Sequence, residues 1–136
     1  AVRAGLRDGT IEVIACDHAP HSAIEKEVEF ENAANGMVGL ETSLGLCWKL
    51  VEEGLLTPSE LIARMTVNGA RVLRIPKGTL KKGADADVTV IDPKKSWKVD
   101  IRKFRARSRN SPFDGWKRPV KAVLTLVGGE IKYNEL

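Results

Sequence analysis

The chain is poor in the residues from which self-contained sites are usually built. Two cysteines, Cys16 and Cys47, and two histidines, His18 and His21, are all it has in 136 residues. Two thiols cannot make a disulfide framework, and so sparse a use fits a reducing compartment, the cytoplasm. No apolar run approaches the roughly 18 to 20 residues of a membrane-spanning helix, so insertion into a membrane is not expected. The opening stretch AVRAGLRDGT lacks a basic segment followed by an apolar one, and no secretory signal is read there. Internal repeats and low-complexity tracts are missing too. What is present, 43% hydrophobic and 29% charged residues, is the balance of an ordinary globular chain and excludes disorder along its whole length. Such a length can bury one core but is about half of the roughly 250 residues that a (β/α)8 barrel takes. One domain, or pieces of two, is the ceiling.

The net charge of +4 hides a division. Residues 1–68 hold five Lys and Arg against eleven Asp and Glu, whereas residues 69–136 hold seventeen against seven. Asymmetry of this kind marks either a nucleic-acid-binding tail or two oppositely charged surfaces that face each other or other parts of a larger protein. Composition alone does not choose between them.

Along the chain, residues 10–15 (TIEVIA) form a β-branched run that predicts a buried strand. At its end stand Cys16-Asp17-His18-Ala19-Pro20-His21, an acid and two imidazoles, with Pro20 turning the chain away from extended pairing. Residues 22–35 are acidic, close on Asn35-Gly36, and predict a long mobile loop. From Leu40 to Glu53 the apolar residues recur at helical steps of three and four, and Gly54 suits a left-handed C-cap. Thr57-Pro58-Ser59-Glu60 combines an N-cap threonine, proline at the first helical position and glutamate at N3, the signature of a second helix. A third helical turn is expected from Asn68 through Leu73. After Pro76 the texture changes to strands and turns: residues 87–91, then Asp92-Pro93, then 120–127 and 130–133 around Gly128-Gly129, a pair fitted to a two-residue hairpin turn.

Asp17 is the first candidate for chemistry, because barrel enzymes place catalytic groups just past the C-terminal ends of their strands. A carboxylate there can ligate a metal or take a proton from metal-bound water; it can equally cap a turn through its side-chain oxygen. His18 and His21 can point into one pocket, yet with Cys16 they fall short of the four ligands of a structural zinc site. Structural histidines or substrate contact are the readings left. The run from 94 to 109 carries eight basic residues and one acid, Asp100, with Trp97 and Phe104 interleaved. Nucleic-acid sites have that composition, but no RNA-recognition signature accompanies it, and a solvated or docking face is the better reading. The acidic loop around Glu25 to Glu31 reads equally as a solvated run or a lid.

Asp17-His18-Ala19-Pro20-His21 followed by Asn35-Gly36-Met37-Val38-Gly39-Leu40-Glu41-Thr42 resembles the dihydroorotases, cyclic amidohydrolases of the metal-dependent amidohydrolase superfamily. Hydantoinases and allantoinases share the DH-x-P frame but usually differ at the position of His21. The resemblance continues through Gly83-Ala84-Asp85-Ala86-Asp87, Ser108-Arg109-Asn110-Ser111-Pro112-Phe113 and Val127-Gly128-Gly129, and covers nearly the whole chain. Ala34 and Gly69 depart from it, each standing where proline is frequent.

The resemblance implies an α/β fold: the C-terminal part of a (β/α)8 TIM barrel in residues 1–75, with the last strand, active-site loop and closing helices, and the C-terminal strands of a small β-sandwich in residues 76–136. It implies that Asp17 ligates zinc in a binuclear centre and moves the proton, that His21 holds the substrate carboxylate, and that Asn35 and Gly36 contact the ring. His18 takes no role from it and is read as structural. The remaining zinc ligands belong to earlier strands, so this chain alone is expected to be inactive. The implied reaction is the reversible cyclisation of N-carbamoyl-L-aspartate to dihydroorotate, by hydroxide attack on a ring amide. The implied partners are that small-molecule substrate, the remaining barrel, and a second copy or a transcarbamoylase, with neither nucleic acid nor membrane among them. A hydantoinase, an allantoinase or a non-catalytic dihydroorotase-like subunit is the alternative reading.

Overall fold

A computed structural model describes residues 1–136. It opens with α1 (Val2–Asp8), which turns its one buried residue, Leu6, inward and ends at Gly9 in the left-handed conformation, φ 85°. Residues 10–16 then form no strand and none of them is buried, which corrects the expected buried strand. A strand exists only through a neighbour that takes its backbone groups, and no segment of this chain lies alongside. Its amides turn elsewhere: Ile11 N–H donates to the Gly5 carbonyl at 2.8 Å and Ile14 N–H to that of Arg64 at 3.0 Å.

The expected loop holds one helical turn, α2 (Ala23–Lys26), because Ser22 and Glu25 close a reciprocal capping box that satisfies the first free amides. The single helix expected from Leu40 to Glu53 is two, α3 (Ser43–Cys47) and α4 (Lys49–Glu52), joined through Trp48, whose backbone stays helical at φ −59°, ψ −22°. Gly54 ends them at φ 64°. The box read in Thr57 and Glu60 is formed and starts α5 (Pro58–Met65); α6 (Val67–Leu73) follows. Leu61 is wholly buried, with Leu55, Leu56 and Ala70 also inside. The guanidinium of Arg64 donates to the Leu6 carbonyl at 2.8 Å, so α5 is tied back to α1.

The second half is β1 (Val88–Asp92), β2 (Trp97–Lys98), a 3-10 turn at Ile101–Lys103, β3 (Lys117–Arg118), β4 (Lys121–Val127) and β5 (Glu130–Asn134). β1, β4 and β5 make an antiparallel sheet in that order, with Thr89 opposite Thr125 and Thr125 opposite Tyr133, while β2 and β3 form a separate ribbon. The β4–β5 hairpin turns on Gly128 and Gly129 at φ 57° and 84°, the positive angles its two-residue turn requires. The Trp97 indole joins ribbon to sheet by donating to the Val120 carbonyl at 2.9 Å. Helices and strands thus share the chain, in keeping with the α/β class. One buried cluster spans both halves: Val38 packs with Val99 and Phe104. It anchors the segment after Gly36 to the β-rich half, and so positions the site.

Candidate functional site

Backbone hydrogen bonds, rather than a strand ladder, build the site. His18 and Met37 form a single parallel bridge in which Ala19 N–H donates to the Met37 carbonyl at 2.9 Å. This bridge sets the Asp17–His21 turn beside Asn35 and Gly36, residues fourteen or more positions further along the chain. Glycine is required where the turns meet: Gly36 stands at φ 96°, and a Cβ on it would lie 2.7 Å from that of Ala19.

Asp17 is exposed and adopts φ 47°, a left-handed conformation that aspartate tolerates better than most side chains. His18 is half-buried and its Nδ1 accepts the Gly39 amide at 3.1 Å, which places the ring proton on Nε2. It is a tie between the two segments. His21 lies with Nδ1 3.7 Å from a Glu25 carboxylate oxygen, a pair that is ionic only when the imidazole is protonated. The Ser22 hydroxyl and amide, more than His21, hold the Glu25 carboxyl below its usual range. Asn35 and Gly36 are exposed.

Two residues that the sequence did not single out hold this arrangement. The Lys26 ammonium donates to the carbonyls of Ala34 and Gly36, on either side of Asn35, at 3.0 Å for Gly36. Asn110, from the loop before β3, donates through Nδ2 to Ala19 and Gly36 at 3.1 and 3.3 Å. Asn110 sits in the Ser-Arg-Asn-Ser-Pro-Phe stretch that carried the resemblance, so its position was marked although its contacts were not. Nearby, the Glu41 carboxylate accepts the amides of Arg105 and Ala106 at 3.1 and 3.0 Å, a second tie between the halves.

The donor set available to a metal is small. Nowhere do three His, Cys, Asp or Glu side chains come together in this chain. One carboxylate such as that of Asp17 is too few donors to hold a metal ion by itself. A cavity of about 680 Å³ opens elsewhere, lined by His18, Leu44, Trp97, Phe104 and Tyr133 among others; neither Asp17 nor His21 faces it. Within the basic run, Arg102 pairs with Asp100, Arg105 stacks over Tyr133, and Lys103 and Arg105 line that cavity. No helix is long and apolar enough to cross a membrane.

Residues 1–132 match the model of the amidohydrolase family. Curated relatives bearing the name dihydroorotase include that of Syntrophus aciditrophicus (strain SB), 57% identical over 135 residues, which covers 99% of this chain and 32% of the relative. That of Geobacter sp. (strain M21) is 56% identical over 133 residues, covering 98% and 31%. The chain spans about a third of the length of these curated relatives. Among solved structures, L-hydantoinase (dihydropyrimidinase) from Arthrobacter aurescens superposes with a TM-score of 0.88 at 34% identity, over 98% of this chain and 31% of that one. A dihydropyrimidinase from Brevibacillus agri NCHU1002 superposes with a TM-score of 0.90 at 20% identity, over 98% and 30%, a likeness of fold alone.

Proposed function

This chain belongs to the amidohydrolase family, and we propose that it is the C-terminal portion of a dihydroorotase, the enzyme that reversibly closes N-carbamoyl-L-aspartate to dihydroorotate in pyrimidine biosynthesis. Residues 1–75 then supply the end of a TIM barrel and residues 76–136 strands of a β-sandwich, in a cytoplasmic protein. One structural observation supports the reading: the His18–Met37 bridge, with Ala19 N–H donating to the Met37 carbonyl, joins the segment that holds Asp17 and His21 to the one that holds Asn35 and Gly36.

The chemistry follows from those groups. Zinc, when bound, polarises the ring amide and activates water; Asp17 is this chain's one group to hold it. The Asp17 carboxylate takes the proton of the attacking water and returns it to the ring nitrogen as the carbon–nitrogen bond breaks. Through a ring N–H, His21 gives the exocyclic carboxylate of dihydroorotate a charge-assisted hydrogen bond, and the backbone at Asn35 and Gly36 orients the ring. Hydantoin and allantoin have no such carboxylate, so His21 is the group that separates the substrates.

The test is His21→Ala in the full-length enzyme, assayed on dihydroorotate, hydantoin and allantoin. Loss of a hydrogen bond to a charged group predicts about a tenfold to hundredfold fall in kcat/KM for dihydroorotate alone. Equal turnover of dihydroorotate with and without the imidazole would remove the assignment. The likeness to L-hydantoinase favours a second reading, a hydantoinase, for which hydantoin would be the preferred substrate of the unmodified enzyme.

A further inference from the structure

We infer that Asn110 is a positioning residue that fixes the spacing between the His21 turn and the Asn35-Gly36 backbone; its importance for substrate rests on the reading above. The half-buried side chain uses both ends of its amide. Nδ2 donates to the carbonyls of Ala19 and Gly36, one on each of the two turns. Oδ1 accepts the Ser108 hydroxyl at 2.5 Å, and Ser108 is buried. The orientation of the amide follows from these partners, since two carbonyls demand the NH2 end and the hydroxyl can serve the other. The Asn110 backbone takes part too: its carbonyl accepts Val38 N–H at 3.1 Å, and its own N–H donates to the Ser108 hydroxyl at 3.2 Å.

Three points on the two turns, Ala19, Gly36 and Val38, are therefore held by one residue from the β-rich half. Ala19 lies two positions before His21, and Gly36 is half of the ring-contacting pair. A shift of the amide moves the imidazole relative to the backbone that faces the same substrate. The Ala19–Met37 and His18–Gly39 hydrogen bonds join the same two segments, and the Asn110 amide adds a restraint at Gly36 that comes from the β-rich half. The strands after β1 thus reach the chemistry through Asn110 without touching a reacting atom.

The isosteric Asn110→Asp replaces a double donor with an acceptor that faces two carbonyls, and is the discriminating variant. In the full-length enzyme it should raise KM for dihydroorotate about tenfold with kcat within about twofold, as expected for a binding geometry rather than a proton-transfer step. By amide hydrogen exchange the same variant should lose protection about tenfold at Ala19 and Val38, while amides of the β4–β5 hairpin keep theirs. Ser108→Ala, which frees Oδ1 without burying a charge, should shift both readouts in the same direction by a smaller factor and keeps the test open if Asn110→Asp folds poorly. Unchanged protection at Ala19 and Val38, or a fall in thermal stability with KM unmoved, overturns the proposal. Should the unmodified enzyme turn over no dihydroorotate, the proposed function fails on its own, and the exchange data still decide whether Asn110 spaces the turns.

Discussion

A single carboxylate in an unusual backbone conformation sits at the centre of the proposed chemistry. Asp17→Asn keeps the size and the tolerance for φ 47° but removes the charge, so the full-length enzyme should lose at least about a hundredfold in kcat with its melting temperature little changed. Retained turnover in that variant would take the proton-carrying role from Asp17. Gly36→Ala tests the close approach instead: the added methyl is forced against Ala19 and against the positive φ, and KM should rise as the two turns separate. A third residue gives a pH dependence. The Arg102 guanidinium beside Asp100 holds its carboxyl down at about 2. A carboxylate depressed in the folded state adds stability that is complete above its ordinary value near 3.9 and disappears as pH falls towards about 2. Carboxyl titration by NMR should place the Asp100 midpoint near 2; one near 4 would show that the pair does not form in solution. Asp17, His18 and His21 were conspicuous in the sequence as an acid and two imidazoles within five residues, and Asn35-Gly36 through the resemblance. Lys26 and Asn110 were not, since each acts on backbone carbonyls that are distant in sequence.

At the scale of elements, signals that depend on a few neighbouring residues reappear in the structure, and signals that depend on distant pairing do not. The box at Thr57 and Glu60 starts α5 because both partners lie within one turn. Thr57→Ala should lower stability by about 1 kcal/mol, read from denaturant midpoints. Leu61→Ala removes a wholly buried side chain from the same helix and should cost about 2 to 5 kcal/mol, the larger loss because the cavity adds to the transfer term. The exposed pairing of Lys77 with Asp85 and Asp87 raises the lysine's pKa, yet Lys77→Ala should move stability less than Leu61→Ala, since solvent screens exposed ion pairs. The Gly128-Gly129 hairpin was equally local. Residues 10–15 failed as a strand for the opposite reason, as their composition predicts an extended shape but a ladder needs a neighbour that this chain does not provide.

The whole molecule exposes more surface than its mass calls for. Its accessible area is 9655 Å², against about 7,000 Å² for a compact monomer of 14.9 kDa, and only 13 of 136 residues are buried. Exposed apolar side chains include Ile24, Phe30, Val90 and Ile131. The 136-residue chain prepared alone should therefore self-associate, with a sedimentation coefficient that climbs with concentration, and should hold no stoichiometric zinc by elemental analysis because Asp17 is a lone donor. A concentration-independent monomer, or one zinc per chain, would contradict this. The sequence by itself determined the capped start of α5 and the glycine hairpin, because each depends on neighbours a few positions apart. Only the tertiary structure decided which turns meet, that His18 serves as a backbone acceptor, and that an asparagine ninety residues away spans the gap. Those outcomes depend on how buried polar groups find partners across the fold, and a linear pattern does not encode that choice.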